Sequence, residues 1–306
     1  MNLRQLRYFL AIAQMRSFTR AAAVLHIAQP ALSRQVRTIE DELGTPLFIR
    51  FDRGVTLTET GELLRDRAND LVRQFDQLRD DVMACVDEPR GELTVGMPPS
   101  MREMIVSPLV DAYCRRYPNV CLHIQEGISL DLSKLIYDGK LDCAVIVILS
   151  DQPFSSVEPF LKEQLFLVGP PGSTLDLNTP VSLEYVSSKP MILTSRPNSL
   201  RLVLENALGH SNLPLTLVAD GNSTEMMVEL VACGLAYSVL PYCAAWSASR
   251  QQKLSIAPIS GLWINWGFVY PSHRSLSIAG QKLKGLLFDL ATKRIESQEW
   301  HNASLA

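Results

Sequence analysis

The chain has 306 residues, of which 47% are hydrophobic and 20% charged, with a formal net charge of −3. That length allows two or three packed domains, and the near-neutral total gives by itself no hint of nucleic acid. Six cysteines without a CxxC pair, no signal-type segment and no membrane-length apolar run lead us to expect a soluble, cytoplasmic protein with buried, reduced thiols and neither metal nor cofactor.

The charge is unevenly placed. Met1 to Thr58 holds eight Arg, no Lys and four acids, whereas Glu59 to Glu88 holds four Arg and nine acids. A positive head on a near-neutral body reads as a small anion-binding module, with chance clustering as the alternative. Leu3, Leu6, Leu10 and Ala13 fall at helical spacing and predict a first helix ending near Met15. Ser17 offers a cap for a second helix, on which Phe18, Ala22 and Leu25 share a face. A turn, His26–Ala28, follows, and His26 is read as structural.

Pro30 suits the first position of a third helix, Leu32, Val36, Ile39 and Leu43 form its buried stripe, and Gly44 ends it. Its polar face carries Gln29, Ser33, Arg34 and Arg37 in front and Glu40, Asp41 and Glu42 behind. A helix-turn-helix accounts for that asymmetry. The front of a recognition helix reaches base edges, where Arg bonds guanine and Gln adenine bidentately, and the rear leaves the groove. An ordinary solvated face remains the alternative for this helix taken alone. Next, Leu47–Phe51 and Val55–Leu57 flank the turn Asp52-Arg53-Gly54. Such a wing sets Arg50 on its rising strand and Arg53 at its tip, against phosphates or in a narrow minor groove.

Thr58 or Thr60 can cap a long helix along which Leu64, Ala68, Leu71, Phe75, Leu78, Val82 and Cys85 recur at alternating steps of four and three. So thin an apolar seam on a charged helix needs a partner, and a homodimer is expected through it; packing on the chain's own body is the alternative. Pro89 and Gly91 close the segment.

From Gly91 strands alternate with helices. "GELTVGM" is a strand, Ser100–Glu103 matches a capping box, "VCLHIQEG" is a strand, Ser129 caps a helix and "CAVIVIL" is a buried strand. "KEQLFLVG", "PMILT", "LPLTLVAD", "AYSVL" and "INWGFVY" are further strands, with helices starting at Pro197–Asn198 and Asn222–Ser223 and a last one over about 277–296. The pattern is parallel α/β, repeated twice.

The alanine-bearing second helix, "AQPALSRQVRTIEDELGTPLFIR", the wing exit "RGVTLTETG" and the heptad linker together resemble the LysR-type transcriptional regulators. The resemblance is specific over the head and looser beyond it. It implies an α/β chain with a winged helix-turn-helix head (1–58), a dimerising linker helix (59–88) and a two-lobed domain like a periplasmic binding protein. The lobes would be 91–161 plus 267–306 and 162–266, the chain crossing near Phe160 and returning near Gly267. It also implies an interrupted inverted-repeat operator in double-stranded DNA and dimers that pair into tetramers. Carried over, Gln29, Pro30, Ser33, Arg34 and Arg37 become recognition-helix contacts and Arg50 and Arg53 wing contacts. The chain departs from the family at Ala28, where many members have Ser or Thr.

Parallel α/β sheets bind ligands at strand ends beside helix starts, whose free N–H groups suit anions. The expected effector is a small anion, most simply a carboxylate, held by residues among Pro99, Ser100, Met101, Ser129, Arg196, Asn198, Asn222 and Phe268; plain capping is the alternative for the helix starts. Trp263, Trp266 and Phe268 are read as core in preference to an aromatic slot. The chain shows no HExxH, GxSxG, Walker A or GxGxxG motif, and its five histidines are scattered. A regulator is therefore expected, with RNA polymerase as a further candidate partner. The alternatives are a metabolic enzyme with an autoregulatory DNA-binding head and a nucleoid-type binder.

Overall fold

The computed structural model describes residues 1–51, 54–84, 88–149, 155–272 and 275–306. The chain divides into two compact units, Met1–Val86 and Asp87–Ala306.

In the first unit, Asn2 opens α1 (Leu3–Met15) with a reciprocal capping box: its side chain accepts the Gln5 N–H at 3.0 Å, and the Gln5 side chain accepts the Asn2 N–H at 2.9 Å. Ser17 caps α2 (Phe18–Val24) through the Arg20 N–H, as expected. The third helix, α3 (Gln29–Leu43), starts one residue before Pro30, which is still within the turn where a missing N–H is harmless. Ala28 precedes it without a side-chain cap, and Gly44 ends it in the left-handed region at φ 67°. Leu32, Val36 and Ile39 are buried with Phe9, Ile12 and Leu47. Leu43, expected in the same stripe, is exposed, because the last turn of α3 runs past this core.

The wing is β1 (Phe48–Phe51) paired antiparallel with β2 (Gly54–Leu57), Arg50 opposite Val55. Thr58 caps α4 (Glu59–Ala84): its hydroxyl accepts the Gly61 N–H at 3.0 Å and donates to the Pro46 carbonyl at 2.8 Å. A Cβ on Gly61 would lie 2.2 Å from the Leu47 carbonyl oxygen, so this close approach requires glycine. The expected seam on α4 is corrected at its start. Ala68 is wholly buried and Leu64 packs partly into the same cluster as α1 and α3, so both belong to the unit's own core. Leu71, Phe75, Leu78 and Val82 are exposed, and Cys85 lies outside the described residues.

The second unit is built on a mixed sheet. Its β3 (Gly91–Met97) is parallel to both β4 (Val120–Glu126) and β5 (Cys143–Val147), as the alternating pattern predicts. After β3 the chain makes a 3-10 turn, Pro99–Met101, and a π turn, Arg102–Val106, before α5 (Ser107–Arg116). The expected Ser100–Glu103 capping box does not form, since Pro98 and Pro99 divert the backbone into these turns. Helix α6 (Ser129–Tyr137) joins β4 to β5.

Next comes β6 (Ser155–Gly169), followed by α7 (Leu183–Ser187), β7 (Pro190–Thr194), α8 (Ser199–His210), β8 (Thr216–Gly221), α9 (Thr224–Ala232), β9 (Ser238–Pro241) and α10 (Tyr242–Arg250). The chain returns through β10 (Ser255–Pro271), α11 (Ile278–Glu296) and β11 (Ala303–Leu305). The sheet order is β11-β6-β10-β5-β3-β4, with β9 also on β6, while β7 and β8 form a parallel pair. The parallel reading is thus incomplete: β6 and β10 form a long antiparallel ribbon. Its register slips between Trp266 and Gly267, opposite Leu161 and Pro159.

At the centre of this ribbon Glu163 is fully buried. Its carboxylate accepts the Cys243 N–H at 3.0 Å, the Trp300 indole N–H at 2.8 Å and the Trp266 indole N–H at 2.7 Å, with the Cys243 thiol at 3.7 Å. Burial pushes this carboxyl above its ordinary range, and those donors oppose the rise. Trp266 and Phe268 are core residues, whereas Trp263 is part-exposed beneath the Lys162 ammonium. Among the described residues the expectation of buried thiols holds for Cys143 and Cys243; Cys114, Cys121 and Cys233 are exposed, on the outward positions of α5 and β4 and at the end of α9. No described helix is long and apolar enough to cross a membrane.

Candidate nucleic-acid interface and ligand cleft

Helix α3 presents Arg34 and Arg37 to solvent. Among the described residues neither guanidinium has a hydrogen bond or an ion pair, so each keeps its full donor set for an external acceptor. Ser33 and Gln29 are half-buried beside them and Pro30 is exposed. Arg50 is brought to the same surface from β1. Its guanidinium donates to the Ser33 hydroxyl at 3.2 Å and lies 4.6 Å from the Phe18 ring centroid, which fixes its direction. Arg53 lies outside the described residues.

The acidic rear of α3 has a structural use that the spacing did not reveal. Glu40 accepts the Leu47 N–H at 2.8 Å and the Phe48 N–H at 3.4 Å, tying α3 to the start of the wing. Glu42 pairs with the N-terminal ammonium. The helix is therefore polarised: its front cations, Arg34 and Arg37, are unpaired among the described residues, and two of its rear acids are consumed internally.

In the second unit the expected effector residues do not converge on one point. A cavity of about 560 Å³ is lined by Arg196, Asn198, Leu202 and Glu205 on one side and by Leu130 and Leu149 on the other. A second, of about 270 Å³, includes Pro99, Ser100, Arg102, Glu225, Cys243 and Lys253. Asn222 is exposed and lines neither cavity. Met101 and Phe268 are corrected: both are completely buried in the core and present no surface to a ligand. Ser129 is also buried, and its hydroxyl accepts the Val147 N–H at 2.9 Å, so it braces α6 on β5 rather than capping the helix. The Asn198 side-chain Oδ1 caps α8, taking the Leu200 N–H at 2.9 Å and the Arg201 N–H at 3.4 Å.

Three arginines organise this region. Arg196 holds Glu205 through two donors, Nε at 3.1 Å and Nη2 at 2.8 Å. The same Glu205 takes Arg201 Nε at 2.7 Å, and Arg201 Nη1 reaches both Asp220, at 3.0 Å, and the Thr194 carbonyl, at 3.0 Å. Burial raises the Glu205 carboxyl, and Arg201 and then Arg196 outweigh it, so its pKa lies below the usual range. Arg102, which the sequence reading missed, forks onto Glu126 at the end of β4, with Nε at 2.7 Å, and also pairs with Glu225 in the first turn of α9. Its partners lie 24 and 123 residues away along the chain, beyond any local pattern. The one signal available was an arginine inside the Ser100–Glu103 helix-start motif. Among the described residues no group of three or more His, Cys, Asp and Glu could hold a metal.

Two family models match. Residues 3–62 match the bacterial regulatory helix-turn-helix protein of the lysR family, and residues 87–291 match the LysR substrate binding domain. The chain is 31% identical to the nitrogen assimilation regulatory protein nac of Escherichia coli, over 99% of this chain and 100% of that one. It is 30% identical to the Escherichia coli transcriptional regulator IlvY over 79% of this chain and 82% of IlvY. Among solved structures, a full-length OxyR variant from Pseudomonas aeruginosa superposes with a TM-score of 0.71 at 24% identity, covering 95% of this chain and 94% of that one. Full-length CbnR complexed with its target DNA superposes with a TM-score of 0.67 at 18% identity, covering 96% and 99%. At these identities the structural likeness speaks to the fold.

Proposed function

The chain belongs to the LysR family of bacterial transcriptional regulators, and from that premise we propose that it binds an interrupted inverted-repeat operator as a homodimer that pairs into a tetramer. It is a DNA-binding regulator with an effector-type domain, not an enzyme. Gln29, Pro30, Ser33, Arg34, Arg37, Arg50 and Arg53 are its contacts to the duplex. The observation that carries this reading is the pair of exposed guanidinium groups of Arg34 and Arg37 on one face of α3, unpaired among the described residues. Arginine is the side chain best matched to guanine edges and to phosphates.

The exposed stripe Leu71, Phe75, Leu78 and Val82 supports pairing of two chains through α4. In the second unit, lobes formed by residues 91–161 with 267–306 and by residues 162–266 hold a small anionic effector between them, with Arg196 as its cation. The effector shifts the assembly only if it prefers one arrangement of the subunits over another. The regulator works in the cytoplasm, where RNA polymerase is the machinery it acts on.

Footprinting the DNA upstream of the protein's own gene tests the operator. Two protected half-sites with dyad symmetry, one helical turn or a multiple of it apart, are expected. Uniform protection along the fragment would replace this reading with that of a structural DNA binder.

A further inference from the structure

We infer that the effector is an amphipathic monocarboxylate, whose acid group takes Arg196 away from Glu205 and whose apolar arm lies on Leu130, Leu149 and Leu202. This rests on the reading of an effector held between the lobes and goes further, to the ligand's chemistry and to how the site releases its cation.

The argument starts with Glu205. It is claimed by two arginines that differ in their surroundings. The Arg201 side chain is only 8% exposed and is further held by Asp220 and the Thr194 carbonyl. The Arg196 side chain is 70% exposed, and Glu205 is its only ion-pair partner among the described residues. Removing Arg201 would leave a buried guanidinium or a buried carboxylate without its partner. Moving Arg196 leaves Glu205 still neutralised by Arg201 at 2.7 Å, so the exchange strands no buried charge. A ligand carboxylate offers Arg196 the same bidentate geometry that Glu205 offers now.

The rest of the cavity selects what is attached to that carboxylate. Leu130, in the first turn of α6, and Leu202, in the first turn of α8, are exposed large apolar side chains, and Leu149, after β5, is half-buried. Three leucines around about 560 Å³ leave apolar surface in water that an alkyl or aryl group would cover. A second carboxylate at that end would be desolvated against leucines without a cation to meet it. Besides the capping residue Asn198, Asn206 and Ser199 supply polar lining and can take a hydroxyl or carbonyl near the acid group.

The test uses the full-length chain and titrates acetate, butanoate, hexanoate and succinate by calorimetry at constant ionic strength, with operator affinity measured on the same preparations without acid. Affinity should rise along the monocarboxylate series, by about fourfold for each fully buried methylene and about tenfold or more from acetate to hexanoate. Leu202→Asn should flatten that rise while leaving acetate unchanged, and Arg196→Gln should weaken every acid. Equal affinity along the series, tighter binding of succinate than of hexanoate, a Leu202→Asn variant that keeps the rise, or no binding of any acid overturns the inference. Intact operator binding beside any of those results confines the failure to the ligand's identity. Loss of specific operator binding in the unsubstituted chain would instead remove the functional reading beneath it.

Discussion

Two surfaces, one in each unit, treat arginine in opposite ways. On α3 of the first unit, Arg34 and Arg37 stand in solvent without an acid partner among the described residues, although Glu40, Asp41 and Glu42 lie on the same helix. At the cleft of the second unit, Arg102, Arg196 and Arg201 are each held by carboxylates of their own chain. The difference teaches how each surface meets an anion. The head presents donors that need no rearrangement, so a polyanion gains from every contact at once. In the second unit each of these cations is already met by a carboxylate, so an anion approaching one of them competes with the protein's own charge.

The same contrast runs through the interiors and offers three ways to break it. The body keeps a carboxylate inside, on Glu163, whereas the head buries the neutral amide of Gln5 beside its apolar cluster. Trp266→Ala should therefore have the largest effect. It removes a fully buried ring and one of the donors to Glu163, and should destabilise the second unit by about 3–5 kcal/mol in denaturant unfolding. A loss below about 1 kcal/mol would mean that the buried carboxylate is not held as described. Gly61→Ala comes next, in the head. The added Cβ meets the Leu47 carbonyl, and the wing or α4 must shift, at about 1–3 kcal/mol of head stability. No change in the head's melting temperature would refute the close approach.

The smallest effect expected is in pH dependence. Burial holds the Glu163 carboxyl above its ordinary value of 4.5, so the folded chain binds this proton more tightly than the unfolded one. Its contribution to stability is fully present below 4.5 and is lost as the pH rises from there through the raised folded value. Urea unfolding at a series of pH values should show this downward slope relative to Glu163→Gln. Parallel profiles for the two proteins would contradict it.

What the sequence made legible follows the range of the interactions. The head's helices, Ser17, Gly44 and the β1–β2 wing rest on local spacing and turn chemistry, and their placement agrees with the structure, Leu43 at the end of the α3 stripe excepted. The reading failed where a partner lies far along the chain. An a/d repeat cannot tell which of its turns faces the same chain's core, so Ala68 was placed with Phe75 although one is buried and the other exposed. Ser100 has the pattern of a cap, but two prolines before it set a different backbone. Helix α10, with the run "CAAWSASR", has small residues on most faces and no clear stripe, and β11 is three residues long; neither was anticipated. Of the cleft, Arg196 and Asn198 were read from a helix start. Arg102, Arg201 and their carboxylates emerged only from the fold.

The most direct test of the central claim compares Arg34→Ala with Arg102→Ala. Operator affinity of each full-length variant would be measured by fluorescence anisotropy on a dyad duplex and on a scrambled one, at several salt concentrations. Arg34→Ala should weaken the dyad complex by about 1–3 kcal/mol and reduce the preference for it over the scrambled duplex. Arg102→Ala should leave the preference intact. A dyad duplex held no more tightly than the scrambled one, with Arg34→Ala indistinguishable from the unsubstituted chain on both, would contradict the account.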